Sequence, residues 1–154
     1  MTLFRLADHR DRDMLEAMHQ AYLEALTSYD HPEVEPHELE DAWFTDQERL
    51  FPYVATDGDG LAGHMLVLGP AHAQALGFEV DSYVHELFLR ADLRGGGLAQ
   101  ALLEHGLRER PGTWVTEVLE ANGPASGFWA RALAGRPGLR DEVRGEFRVY
   151  WFES

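Results

Sequence analysis

Apolar residues recur at three- and four-residue steps between residues 13 and 26, where Leu15, Met18, Tyr22 and Leu26 fall on one stripe; this spacing predicts a first helix. Pro36 suits a first helical position and Leu39, Trp43 and Phe44 share a face, so a second helix is predicted from about residue 36 to 47. The loop between them carries Tyr29, Asp30 and His31. The period then shortens. The stretch FPYVATDGDGLAGHMLVLG holds two extended runs, 51–55 and 61–68, on either side of an Asp57-Gly58-Asp59-Gly60 turn, which reads as a β-hairpin. A segment rich in Gly, Ala and His, residues 69–80, leads into a third run at 82–89. Residues 98–107 return to helical spacing, with Leu98, Leu102 and His105 on one side and Leu103 and Leu107 beside them. A strand at 113–119, a helix at 123–134 and a closing strand, EFRVYWFE, complete the chain, which shows no repeat, low-complexity segment or linker.

At 154 residues and 45% hydrophobic content, the chain suits one domain, 1–154, with one sizeable core. No stretch reaches the roughly 18 apolar residues of a membrane span, and MTLFRLADHRDRD has no basic-then-apolar leader, so a soluble, cytoplasmic protein is expected. The absence of cysteine excludes disulfides, thiolate metal sites and a cysteine nucleophile. Charge is lopsided. Residues 1–80 hold 16 acids against 4 arginines, and residues 81–154 hold 11 against 9, within a formal net charge of −14. Eight carboxylates and no Lys or Arg lie between Asp30 and Glu48. Such a field repels nucleic acid and anionic membranes and concentrates cations, though a solvated acidic face explains it equally well.

The stretch LRADLRGGGLAQALLEHGLRER, residues 89–110, places three glycines between a strand and a helix. Bare backbone there leaves N–H groups at the positive end of the helix dipole, a site for phosphate. A P-loop would need lysine, which the chain lacks, and a dinucleotide fingerprint would need a small residue where Gln100 stands. The hexamer that fits is Arg94-Gly95-Gly96-Gly97-Leu98-Ala99, which resembles the acetyl-CoA signature Q/R-x-x-G-x-G/A of the GNAT family of N-acetyltransferases. Glu86-Leu87-Phe88-Leu89 resembles that family's fourth strand. VLEANGPASGFWARALAG resembles its downstream segment, with Asn122, Ala125, Phe128 and Trp129 at matching places.

The resemblance implies an α+β GNAT fold: a mixed, mostly antiparallel twisted sheet flanked by helices, with splayed fourth and fifth strands. It implies acetyl-CoA as acyl donor, with its pyrophosphate on the backbone of Arg94, Gly95, Gly96, Gly97, Leu98 and Ala99. Its pantetheine arm would lie along the edge formed by Leu87, Phe88 and Leu89 and near Asn122, Ala125 and Trp129. Arg90 and Arg94 are further phosphate candidates. Glu86 stands where the family often carries a general base, with His85 as the neighbouring alternative; strand alternation lets only one face the cleft unless a bulge intervenes, as it does in the family. The family usually has tyrosine at the Trp129 position to protonate the departing thiolate, which leaves that step to water or to another group such as Tyr150. Tyr29 and Asp30 are candidate acceptor contacts, because the first helices and their loop build the family's acceptor site.

The acidic first half suits a small, cationic amine as acceptor. A non-catalytic acyl-CoA-binding protein and a protein or peptide N-acetyltransferase are the alternatives, and a homodimer is an expectation of the resemblance. No metal is expected: His-Glu-x-x-His spacing begins at His85-Glu86 but ends in Leu89, and Asp30, His31, Glu33, Glu35 and His37 read as loop residues. There is no Gly-x-Ser-x-Gly elbow to support a hydrolase.

Overall fold

Period-two alternation builds the centre of the molecule. In the computed structural model, which describes residues 1–27, 39–58 and 60–154, seven strands form one sheet. They are β1 (Leu3–Leu6), β2 (Leu50–Asp57), β3 (Gly60–Leu68), β4 (Ser82–Leu89), β5 (Thr113–Leu119), β6 (Arg140–Arg144) and β7 (Phe147–Glu153), in the order β1-β2-β3-β4-β5-β7-β6. Every neighbouring pair is antiparallel except β4 and β5, which run parallel. This is the α+β architecture that the resemblance implies.

Helices cover both faces. On one face α4 (Leu98–Glu109) and α5 (Gly123–Leu133) bury Leu102, Leu103, Leu107 and Leu133 against Tyr53, Met65, Val67, Trp114 and Phe152. On the other, α1 (Arg12–Thr27) and two short helices, α2 (Ala42–Thr45) and α3 (Pro70–Ala75), bury Leu15, Met18, Trp43 and Ala73 against Val54, Leu66, Tyr83 and Val149. With cover on both sides, β3 is buried at every position from Leu61 onward, which is why its sequence is nearly continuous in apolar residues.

Four elements differ from the sequence reading. Of the helix expected at 36–47, residues 36–38 lie outside the described residues, and the helical part is only Ala42–Thr45. The chain leaves the helix at Asp46, and the Gln47 side chain turns back to donate to the carbonyls of Trp43 and Ala7 at 2.9 and 2.8 Å. The 69–80 segment contains α3, which starts with Pro70 at its first turn, where a missing N–H costs nothing. The strands β1 and β6 have no alternation to betray them: β1 is four residues at an edge, and β6 is RDEVR with every residue exposed. β6 exists because β7 supplies its hydrogen-bond partners across a turn at Gly145, whose φ of 60° favours glycine.

Two glycines let layers approach closely. A Cβ on Gly106 of α4 would sit 2.5 Å from Met65 Cε, a flexible group. One on Gly63 of β3 would sit 2.9 Å from the Phe88 carbonyl oxygen and 2.5 Å from Leu89 Cδ2, so β3 and β4 would have to separate. Gly63→Ala is expected to lower stability by about 1–3 kcal/mol, read from the urea midpoint at constant m-value.

Candidate active site

The sheet forks where its one parallel pair ends. β4 and β5 are in register over three pairs, Ser82 with Trp114, Tyr83 with Val115 and Val84 with Thr116, and no further. The Thr116 hydroxyl donates to the Val84 carbonyl at 3.2 Å at the last of these. At the same point β4 bulges: Val84 faces Val67 of β3 and Glu86 faces Leu66, leaving His85 unmatched. One extra residue reverses the alternation beyond it. Glu86 therefore shares the α1 face with Tyr83, and Leu87 packs on the α4 and α5 side.

Between the parted strands lies a cleft of about 460 Å³. Its α4/α5 side is lined by Leu87, Val118, Ala125, Trp129 and Asn122, and its α1 side by Tyr22, Leu26, Tyr83, His85 and Glu117. Asn122 caps α5, its side-chain oxygen accepting from the Ala125 N–H at 3.1 Å. Trp129 is buried in the cleft wall, and Tyr150, on β7 beside Thr116, does not line it.

The two base candidates are presented differently. His85 is exposed on the bulge. Glu86 is 4% exposed, with both oxygens occupied: His19 Nδ1 of α1 lies 3.1 and 3.2 Å from them, and His64 Nε2 of β3 lies 2.9 Å from Oε2. Trp43, Tyr22 and Phe88 rings enclose these imidazoles. Burial pushes the Glu86 carboxyl up, but the hydrogen bonds and charge of His19 and His64 outweigh it and hold the pKa down to about 2. Burial disfavours the His19 imidazolium, yet the bond to Glu86 prevails and raises its pKa. Among the described residues His64 Nδ1 has no hydrogen-bond partner, so the ring meets Glu86 through Nε2 alone. Burial, then the Glu86 charge, pushes the Tyr22 hydroxyl up, and it stays protonated and donates to the His85 carbonyl at 3.4 Å.

The glycine loop lies past the end of β4. Gly95 and Gly97 have φ of 84° and 85°, and Gly97 begins α4 with no side chain capping its first N–H groups. A Cβ on either would meet nothing within 4 Å, so backbone conformation, not packing, demands glycine. Leu98 and Ala99 form the first turn of α4. These open N–H groups fit a phosphate of a bound nucleotide. Arg94 turns elsewhere, its guanidinium donating to the Leu89 carbonyl at 3.2 and 3.3 Å and lying 4.9 Å from the Phe88 ring centre. Arg90 pairs with Asp57 and Asp92. Phe88 and Arg94 line a separate apolar groove under α1, and Leu89 is buried. Tyr29 and Asp30 lie outside the described residues.

His19 and His64 were missed in the sequence, although each left a trace there. His19 falls between Met18 and Tyr22 on the apolar stripe of α1, and His64 interrupts an otherwise apolar strand. A polar ring in either place needs a buried partner.

Among the described residues, no group of three or more His, Cys, Asp or Glu side chains could hold a metal, and no helix is long and apolar enough to cross a membrane. The family model for the acetyltransferase (GNAT) family matches residues 15–134. No curated protein sequence matches the chain. Among solved structures, a GNAT-family acetyltransferase from Streptococcus agalactiae superposes with a TM-score of 0.69 at 14% identity, covering 99% of this chain and 95% of the other. An acetyltransferase from Thermus thermophilus gives 0.69 at 18% identity over 100% and 97%. Arabidopsis thaliana NAA60 in complex with acetyl-CoA gives 0.64 at 17% over 100% and 99%.

The buried triad ties stability to pH. Glu86, lowered from 4.5 to about 2, contributes stability that is complete above 4.5 and lost as pH falls toward 2. His19, raised from 6.5, contributes stability that is complete below 6.5 and lost as pH climbs through its folded value. These are one interaction seen from its two ends, strongest between about 4.5 and 6.5. Urea midpoints from pH 3 to 9 are expected to show both flanks. Glu86→Ala should flatten them and cost about 3–5 kcal/mol at the maximum, because two buried imidazoles lose their partner.

Proposed function

The chain belongs to the GNAT family of acetyltransferases, and from that premise we propose that it transfers an acetyl group from acetyl-CoA to a primary amine of a small, cationic molecule. The observation that carries this reading is the division of the cleft at the fork. Its α4/α5 side is lined by Leu87, Val118, Ala125 and Trp129, which share one apolar cluster with Leu98 at the start of α4, and its α1 side carries His85 and Glu117.

Acetyl-CoA supplies a thioester activated toward nucleophiles. The amine nitrogen attacks the carbonyl carbon, the C–N bond forms, the C–S bond breaks and the thiolate leaves. An ammonium has no lone pair, so the amine must lose a proton. A carboxylate held near 2 is several powers of ten too weak a base at neutral pH, which argues against Glu86 as the direct acceptor. His85 is the exposed alternative at the same place, and imidazole is the side chain that most often serves as a general base. In this reading Glu86 is a positioning anion, fixed by His19 and His64, that anchors the strand just past the bulge. Backbone N–H groups beyond the bulge, at Leu87, are suited to the developing oxyanion. With tryptophan at position 129 and Tyr150 outside the cleft lining, the departing thiolate takes its proton from water.

Gly96 offers a clean probe of the donor side: its φ is not in the left-handed region, and a Cβ there would approach only the Leu93 carbonyl oxygen, at 3.9 Å. Calorimetric titration is expected to show acetyl-CoA binding to the wild type and at least about tenfold weaker binding to Gly96→Glu, whose carboxylate repels the pyrophosphate. No binding to the wild type would sink this reading. With a small amine as acceptor, His85→Gln is expected to lower kcat about 10²-fold or more while acetyl-CoA binding is retained. An unchanged kcat in His85→Gln would rule out His85 as the base.

A further inference from the structure

Glu117 is the first residue of β5 beyond the last pair it makes with β4, directly across the fork from the bulge at His85. Alternation turns it to the α1 face, since Val115, two residues earlier, packs there, as does its own β7 partner Val149. Its side chain is partly buried in the cleft wall, where the hydroxyl of Tyr83 donates to Oε1 at 2.7 Å. Tyr83 is itself held: it is 7% exposed, its ring packs against Phe78, and burial together with the Glu117 charge keeps its hydroxyl protonated. No arginine among the described residues forms an ion pair with Glu117, although arginines pair with Glu104, Glu120 and Glu142 elsewhere on the surface. The result is an oriented carboxylate on the acceptor wall with lone pairs to spare.

We propose that Glu117, oriented by Tyr83, binds a second cationic group of the acceptor, so that the enzyme selects diamines and longer polyamines over monoamines. The proposal rests on the acyl-transfer reading above and adds to it the residue that reads the acceptor. The chemistry favours two nitrogens over one. A carboxylate beside the reacting nitrogen would stabilise its ammonium form and oppose the proton loss that attack requires. When a second ammonium occupies Glu117, the first nitrogen remains free to reach His85 and lose its proton. Neutral Gln in place of Glu117 would keep the hydrogen bond from Tyr83 and remove the attraction, which makes it a narrow test.

1,4-Diaminobutane and n-butylamine share a four-carbon chain and differ by one nitrogen. The wild type is expected to show a kcat/KM for the diamine at least about tenfold above that for butylamine. In Glu117→Gln that ratio should fall toward one, chiefly through a higher KM for the diamine, with Tyr83→Phe falling between. In parallel, calorimetry of the complex with coenzyme A should show binding of the diamine that weakens about tenfold in Glu117→Gln. An equal ratio in wild type and variant, or no binding of the diamine to the coenzyme A complex, would overturn this assignment. Binding of acetyl-CoA, and its loss in Gly96→Glu, reports on the donor reading separately, so a failure of one is not a failure of the other.

Discussion

One unmatched residue, His85, sets the geometry on which the rest of the site depends. A parallel pair held to the ends of both strands would close the sheet and leave no cleft. The bulge bends β4 away just where its register with β5 stops, and it also exchanges the faces of every later side chain on the strand. Without it Glu86 would lie under α4 and α5, far from His19 on α1, and Leu87 would face the wrong layer. The opening of the cleft and the assembly of the buried triad are thus two results of the same insertion.

That triad shows how a costly group is retained. An ionised carboxylate at 4% exposure is tolerated only because two imidazoles from different elements meet it, and so it fastens α1, β3 and β4 together beside the cleft. The local field therefore has two unlike acidic groups. The Glu86 charge is met in place by its two imidazole partners, while Glu117, in the cleft wall, receives the Tyr83 hydroxyl and, among the described residues, no ion pair. A tally of charges along the chain cannot distinguish these two, and the difference between them decides which one a ligand can feel.

Much of this was legible in advance. Strands 82–89 and 113–119 were read to the residue, because each is a strand-like run bounded by turns, and the glycine loop stood out because three glycines fall between a strand and a helix; the open space around Gly95 and Gly97 then argues against a packing role. The edge strands were not legible, since β6 is defined by its neighbour β7 and not by its own residues. His19 and His64 escaped for a related reason: a histidine in an apolar run announces that it has a partner, but naming Glu86 requires knowing that helix and strand cross there. The second helix, expected at 36–47, is helical only over Ala42–Thr45: residues 36–38 lie outside the described residues, and past Asp46 the Gln47 side chain bonds back to Trp43 and Ala7.

The outermost strand has a role in what the molecule avoids. Among the described residues no strand pairs with the outer edge of β6, and an open sheet edge is the arrangement by which one protein recruits another's strand and begins to aggregate. Its sequence, Arg-Asp-Glu-Val-Arg, sets charge at four of its five positions, all exposed. A second copy docking there would have to bring its own charges against these and strip them of water. The residues that made β6 invisible as a strand are the ones that keep the sheet from growing past its seventh member.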